Sequence, residues 1–186
     1  MNIPRVSSGP FARLAVCGGT LLVSACSYKP SCSDGSAPLG VPARPDNLEE
    51  DILSPTQVRV NAGDRITVEV RPWLKIGGYG LLHGWNVGFG EVGPWGHPGQ
   101  GNDGCPAADA PIGSLIGRLG PHEENERGDE LGKYFPVGSK NTYTADKSEM
   151  LYLGSNDNAK GTCGWGKHSC YRDNKGFLDV CVTIMK

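Results

Sequence analysis

The stretch VRVNAGDRITVEVR, residues 58–71, alternates apolar and polar side chains on both sides of a short polar run. A period of two residues places the apolar side chains on one face, which is typical of a strand with one buried side. The polar run, residues 61–64, contains the residue types that form turns. The stretch therefore predicts two half-buried strands joined by a turn.

Three further stretches have strand character, residues 114–119, 149–153 and 177–184. With 28 Gly and 14 Pro the chain offers few uninterrupted helix interiors, because both residues disfavour helix. Long Gly- and Pro-rich loops separate the strands, at residues 77–104 and 156–175, and such loops are usually functional or held by disulfides. The sequence predicts an all-β fold, a single antiparallel β-sandwich of the jelly-roll type.

Length argues against a two-domain protein, and charge argues against a nucleic-acid-binding protein. The 186 residues suit one compact domain with appendages rather than two full domains. The 18 basic and 20 acidic residues give a net charge of −2, and no Lys/Arg cluster is present. We therefore expect no nucleic-acid partner.

The first 25 residues have the pattern of a bacterial lipoprotein signal peptide. Arg5 and Arg13 precede an apolar stretch, residues 14–25, that is too short to span a bilayer. Residues 23–26, Val-Ser-Ala-Cys, are similar to a lipobox, in which the cysteine is lipidated and becomes the new N terminus. We expect a cell-envelope lipoprotein anchored through Cys26. Ser27 favours the outer membrane, and ordinary signal cleavage to a secreted protein is the alternative.

Residues 26–54 combine the lipidated cysteine with a segment rich in Ser, Pro, Gly and acidic residues. The segment lacks apolar periodicity, so it is predicted to be a flexible tether about 30 Å long by random-coil scaling. The folded domain is then residues 55–186.

Export to an oxidising compartment makes disulfides the first interpretation of the remaining cysteines. Cys17 leaves with the signal peptide and Cys26 is lipidated, so five cysteines remain. We expect Cys32 to pair with Cys105 and Cys163 to pair with Cys170. Cys181 is then the odd thiol.

Cys163 and Cys170 are the best local pair, because a bridge between them closes the Gly- and Lys-containing segment into a small loop. A zinc site that uses His168 is the less favoured alternative, since no second short pair of ligands accompanies it.

Common catalytic motifs are missing from the sequence. It contains no Gly-x-Ser-x-Gly elbow, no His-Glu-x-x-His pair and no phosphate-binding glycine loop. We therefore predict that the protein is not an enzyme. Carboxylates can converge without a fixed spacing, so an enzyme or enzyme accessory that presents a polysaccharide to carboxylates such as Glu91 or Asp103 stays an alternative.

Two polar runs near the C terminus concentrate oxygen ligands, residues 156–162 (NDNAKGT) and 173–176 (DNKG). Calcium prefers about six to eight oxygens from carboxylates, amides and the main chain. The first run is not an EF-hand loop, because Lys167 stands where the bidentate Glu belongs. From residue chemistry alone, ordinary turns are the simpler interpretation.

The order of motifs along the chain resembles the calcium-dependent galactose lectins of the PA-IL type. Three C-terminal motifs carry the resemblance, LYLGSND (151–157), GT (161–162) and DNKG (173–176). Four upstream motifs fall in the same order, NAGD (61–64), YG (79–80), HPGQG (97–101) and GSLIGRLG (113–120). The first of these, with the strand after it, resembles the first hairpin of the family. The resemblance spans roughly residues 55–186 and implies a galactose-binding-like sandwich.

The resemblance also implies a set of calcium ligands. The side chains of Asp157, Asp173 and Asn174 and the main-chain oxygens of Tyr79 and Thr162 would hold the ion, and two vicinal sugar hydroxyls would complete its shell. Asp157 would contact both calcium and sugar. Asp173 stands where the family has Asn, which adds negative charge to the site.

The sugar itself would be oriented by His97 and Gln100 through its primary hydroxyl. Trp165, inside the loop between the two close cysteines, is a candidate wall for the sugar. For Trp85 and for Trp95, a sugar-stacking role and a core position are equally compatible with the sequence.

The sequence thus predicts a calcium-dependent lectin for galactose-type glycans, held at a membrane by an N-terminal lipid. Monomer and oligomer are equally compatible with it. The alternatives are an envelope lipoprotein that keeps the fold but acts through protein contacts, and the polysaccharide-enzyme accessory described above.

Overall fold

The computed structural model describes residues 31–48, 51–71, 75–76, 79–80, 85–86, 91–97, 104–121, 133–158 and 169–186. These residues form strands in two antiparallel sheets and one small ribbon, with no α-helix among them. The predicted all-β antiparallel sandwich is confirmed. Among the same residues, no helix is long and apolar enough to cross a membrane.

One sheet has six strands: β1 (Leu39–Pro42), β3 (Arg65–Val70), β6 (Trp85–Asn86), β7 (Glu91–Val92), β10 (Lys140–Thr144) and β12 (Lys175–Met185). Its order is β10-β3-β12-β6-β7, with β1 also paired to β12. The long strand β12 is the centre of this sheet, because β1, β3 and β6 all pair with it.

The second sheet has four strands: β2 (Ser54–Arg59), β8 (Leu115–Leu119), β9 (Phe135–Pro136) and β11 (Met150–Ser155). Their order is β2-β11-β8-β9. A separate ribbon pairs β4 (Lys75–Ile76) with β5 (Tyr79–Gly80), and a 3₁₀ helix, Ser169–Asp173, leads into β12. Strands β8, β11 and β12 confirm three of the predicted strands.

Strand β10 was not predicted because its residues, KNTYT, are mostly exposed and show no apolar alternation. Its pairing with β3 comes from the main chain and from surface contacts. The hydroxyls of Thr67 and Thr142 lie 2.9 Å apart, and Lys140 Nζ lies 2.7 Å from Glu69 Oε2.

The turn at residues 61–64 does not make a hairpin, contrary to the resemblance. It joins β2 in one sheet to β3 in the other, so it is a crossover between the layers. Asp64 Oδ2 accepts the Asn61 main-chain N–H at 2.8 Å, and Gly63 supplies the left-handed backbone with φ 91°. The apolar alternation is preserved because Val60 and Ile66 enter one core from opposite sheets.

The core fills the space between the sheets with buried aliphatic side chains from both layers. Its members from the long strands include Ile66, Val68, Leu115, Leu119, Leu151, Leu153, Leu178 and Val180. All of these are 3% exposed or less, so the two layers are joined by a dry interior.

The predicted flexible tether is wrong for residues 31–48 and 51–54, which are part of the fold. Strand β1 pairs with β12 along residues 177–180, and Ile52 and Leu53 are completely buried. The wholly buried Arg118 donates to Asp51 Oδ2 at 2.5 Å, an ion pair that ties this segment to β8. The segment has too few consecutive apolar residues to show periodicity, and its attachment comes from backbone pairing and isolated contacts.

The disulfide expected between Cys32 and Cys105 is also wrong. Cys32 bonds to Cys181, with Cα atoms 5.6 Å apart and a sequence separation of 149 residues. Strand β1 lies antiparallel to β12 and brings the preceding segment alongside residue 181. Cys105 is a buried thiol outside any disulfide.

Candidate functional site

The residues just beyond the end of β11 and just before the start of β12 meet at one edge of the sandwich. Asp157 lies two residues after β11, and Asn174 immediately precedes β12. Asn174 Nδ2 donates to Ser155 Oγ at 3.2 Å. Asp157 is 3% exposed and Asn174 2%, so strands from the two sheets bury a carboxylate beside an amide.

Two oxygens of this pair have no hydrogen-bond donor within the described part of the chain. Asp157 Oδ1 accepts the Asn158 main-chain N–H at 2.7 Å, but its Oδ2 is buried and accepts none there. The same holds for Asn174 Oδ1. Because buried polar atoms nearly always have a partner, two such oxygens on neighbouring side chains suit a hard cation.

The electrostatics of Asp157 favour the same interpretation. Burial raises the pKa of its carboxyl from 3.8 to about 6, and the nearby Asp173 carboxylate adds to this effect. The hydrogen bond from the Asn158 main-chain N–H opposes the rise in pKa. Asp173 itself is exposed. The site therefore carries negative charge, and above pH 6 the buried Asp157 carboxylate is not fully compensated by hydrogen bonds.

Tyr171 holds the backbone of the site in place. Its hydroxyl is fully buried, accepts the Asp157 main-chain N–H at 3.1 Å, and lies 3.0 Å from the Ser155 carbonyl and 3.2 Å from that of Asp157. Burial raises the pKa of this phenol well above 10.0, so it stays protonated and can donate. Sequence reasoning missed Tyr171, because nothing in its neighbours distinguishes it from a loop residue.

Asn156 clamps the neighbouring loop and does not take part in the site. Its Nδ2 donates to the carbonyls of Ala107 at 3.0 Å and Ala110 at 2.8 Å, and its Oδ1 accepts the Ala107 main-chain N–H at 3.0 Å. With both ends of its amide occupied, Asn156 fixes the direction in which the chain enters Asp157.

The N-terminal segment also contributes to the site. The Ala43 carbonyl accepts hydrogen bonds from Ser155 Oγ at 2.9 Å and from Asn174 Nδ2 at 3.4 Å. The Ala43 main-chain N–H donates to the Gly176 carbonyl at 3.0 Å. The Asn174 side-chain nitrogen is thereby held by the Ala43 carbonyl and the Ser155 hydroxyl. Sequence reasoning missed this contact as well, since it had placed Ala43 in a tether.

The structure brings His97 to the same edge as Asp157. The His97 main-chain N–H donates to Ile112 at 2.8 Å, and the Gly113 N–H donates to Asn156 at 2.7 Å. Residues 112–113 thus lie between His97 and the chain leading to Asp157. Two strand spacings separate these outer segments, a distance of roughly 10 Å. The His97 side chain is half-buried.

Of the remaining predicted site residues, the structure describes Tyr79 and Cys170. Tyr79 lies in β5 of the small ribbon. Gln100, Thr162, Cys163 and Trp165 lie outside the described residues, as does Cys26. Cys170 is buried and disulfide-bonded. Its predicted pairing with Cys163 stays a prediction.

The donor set is one of hard oxygens. In the ranges that the structure describes, no group of three or more His, Cys, Asp or Glu side chains is placed to hold a metal ion, so any ion here would also need amide, main-chain or water oxygens. Two carboxylates and an amide match the preference of calcium, whose shell is commonly completed by main-chain oxygens and water.

No protein-family model matches the chain, and no curated protein matches it in sequence. The chemistry of the site therefore rests on its own residues.

Proposed function

We propose that the protein is a calcium-dependent lectin that binds galactose-type glycans and is held at the bacterial cell envelope by a lipid on Cys26. The observation that carries the proposal is the pair of buried oxygens, Asp157 Oδ2 and Asn174 Oδ1, which lack a donor within the described residues. A divalent cation would supply the missing partner for both. It would also neutralise a carboxylate that burial makes costly to ionise.

Calcium suits the site better than other common metals. The side chains that would hold it, those of Asp157, Asp173 and Asn174, offer only oxygen, and Asp173 faces solvent. An ion held by a few protein oxygens at an exposed edge keeps positions open for water or for sugar hydroxyls. Main-chain oxygens of Tyr79 and Thr162 are the further ligands that the resemblance to PA-IL-type lectins implies.

Sugar recognition follows from the same arrangement. A calcium ion with open positions would exchange two waters for a pair of vicinal hydroxyls at little geometric cost. His97, on the far side of the 112–113 segment, would hydrogen-bond the sugar and give it orientation, together with Gln100. The proposed protein binds its glycan without chemical turnover.

The proposal is tested by calorimetric titration of the mature protein with galactose, once in calcium and once in chelator. We expect heat of binding only when calcium is present. Calcium binding with no response to galactose would refute the sugar specificity and leave the metal site. No response to either ligand would refute the lectin and favour an envelope protein that acts through protein contacts.

His97→Ala is expected to weaken galactose binding about tenfold, the effect of losing a hydrogen bond worth about 1.4 kcal/mol. Calcium affinity should not change, because the main-chain bond from residue 97 to Ile112 does not need the imidazole. Parallel titrations with calcium alone and with galactose in excess calcium separate the two effects. An equal loss of both affinities would show that His97 has a structural role.

A further inference from the structure

Trp95 is the most exposed of the large apolar side chains that the structure describes, with 59% of its surface in contact with solvent. Of the other aromatic residues whose burial the structure describes, Tyr171 and Phe135 are buried and Phe177 is 41% exposed. Single exposed apolar residues are common on protein surfaces, so exposure alone assigns nothing. The position of the ring and its support are the informative features.

The ring of Trp95 rests against the backbone at Gly93. A Cβ atom at Gly93 would lie 2.5 Å from both Cη2 and Cζ2 of the indole, so only glycine leaves room for the ring. One part of the indole is therefore seated on the main chain while the rest remains in solvent. A ring that is already positioned loses little conformational freedom when a ligand stacks on it.

The main chain around Trp95 is equally fixed. Trp95 forms a bridge with Ser114, and the Leu115 N–H donates to the Pro94 carbonyl at 2.8 Å. Gly96, with φ 71°, packs so closely that a Cβ there would lie 2.5 Å from the Ile112 carbonyl oxygen. Both neighbours of Trp95 are thus held against the 112–115 segment.

That same segment connects Trp95 to the proposed calcium site. Ser114, the bridge partner of Trp95, accepts the main-chain N–H of Asn156 at 2.8 Å. Trp95 therefore lies about two strand spacings, roughly 10 Å, from the residue that precedes Asp157. It lies two residues from His97. Because His97 would contact the sugar held at Asp157, a second pyranose joined to that sugar would lie close to the Trp95 ring.

We propose that Trp95 is a stacking subsite for a second pyranose, next to the sugar held at the Asp157–Asn174 site. This inference rests on the proposed function. Indole rings bury large apolar areas when they are covered. The exposed part of the Trp95 ring can therefore stack on the apolar C–H face of a pyranose. The protein is then selective for galactose-terminated oligosaccharides over free galactose.

The test measures calcium-dependent affinity by calorimetry for galactose and for α- and β-linked digalactosides. In the wild-type protein a digalactoside is expected to bind about three- to tenfold more tightly than galactose, the range of one aromatic contact. Trp95→Ala should remove this gain and leave galactose affinity unchanged, while Trp95→Phe should retain part of it. Met185→Ala, which removes another exposed apolar side chain, is the matched control.

The outcomes separate this inference from the proposed function. If galactose binds with calcium but the disaccharides bind no better, or if Trp95→Ala binds them as the wild type does, the subsite is refuted. If the wild type binds no sugar in calcium, the lectin proposal itself fails. Circular dichroism of each variant confirms that affinity, and not folding, has changed.

Discussion

Asp157→Asn is expected to abolish calcium binding and, in chelator at pH 8, to make the protein more stable than the wild type. The first effect follows because the substitution removes the buried charge that the cation would neutralise. The second is unusual for a change at a buried polar residue. It separates a cation site from a structural aspartate, whose removal would cost stability.

The sign follows from the pKa of Asp157. Burial raises this pKa from 3.8 to about 6, so the unfolded chain gives up the proton more readily than the folded one. Without metal, the folded protein then loses stability as pH rises from about 4 through about 6. A rise of about 2 pKa units corresponds to about 3 kcal/mol above pH 6, and none below pH 4.

The geometry allows the amide to fit. The introduced side-chain oxygen can still accept from the Asn158 N–H, as Asp157 Oδ1 does at 2.7 Å. We expect the introduced nitrogen to find an acceptor nearby, and Asn174 Oδ1 is an acceptor that has no donor among the described residues. We therefore expect the variant to fold without a buried charge at this position.

Urea unfolding at pH 5 and pH 8, in chelator and in calcium, measures these effects. In chelator the wild type should be less stable at pH 8 than at pH 5, and calcium should restore the difference by mass action. Asp157→Asn should respond weakly to both pH and calcium. Asp173→Asn is the matched control, because that carboxylate is exposed: calcium affinity should fall while apo stability changes little. An Asp157→Asn protein that still binds calcium would contradict the proposed site.

Removal of the long-range disulfide is expected to have the largest effect on stability. The bridge between Cys32 and Cys181 closes a loop of 149 residues. In the chain-entropy model, restriction of so long a loop in the unfolded chain contributes about 4–5 kcal/mol, although measured values more often fall between about 2 and 4 kcal/mol. The Cys32→Ser/Cys181→Ser double variant should lose about 2–5 kcal/mol of unfolding free energy.

The double variant is preferable to chemical reduction, because Cys170 is in a disulfide as well. Calcium affinity should fall only slightly, since Ala43 stays attached through its bond to Gly176 and through β1. A loss below about 1 kcal/mol would show that the unfolded chain is already restricted without the bridge. Adding a reductant to the double variant then reports on the Cys170 disulfide alone.

Alternation in the sequence was sufficient to predict the strands that bury one face. Strands β8, β11 and β12 carry apolar residues at a period of two or in a continuous buried run, and the core depends on them. Alternation says nothing about which sheet a strand joins, so the turn at residues 61–64 was taken for part of a hairpin. Apolar alternation also does not predict β1 and β10, because these strands are held mainly by backbone pairing.

The candidate site was predictable only in its ligating side chains. Asp157 and Asn174 lie in polar runs whose composition suggests oxygen ligands, and the resemblance to a lectin family singled them out. The Tyr171 hydroxyl and the Ala43 carbonyl were not predictable, because each acts through a contact between distant parts of the chain. The cysteine pairing was missed for the same reason, since it depends on the register of β1 on β12.

The disulfide also determines how a pulling force would pass through the molecule. Tension applied between the chain preceding Cys32 and a ligand held at Asn174 enters β12 directly at Cys181. It runs along residues 174–181 of that one central strand, and the covalent bridge bypasses the residues between 32 and 174. Strand β1 would be neither peeled nor sheared by such a pull. The sandwich can therefore transmit tension between its N-terminal segment and its proposed ligand while most of its core remains unloaded.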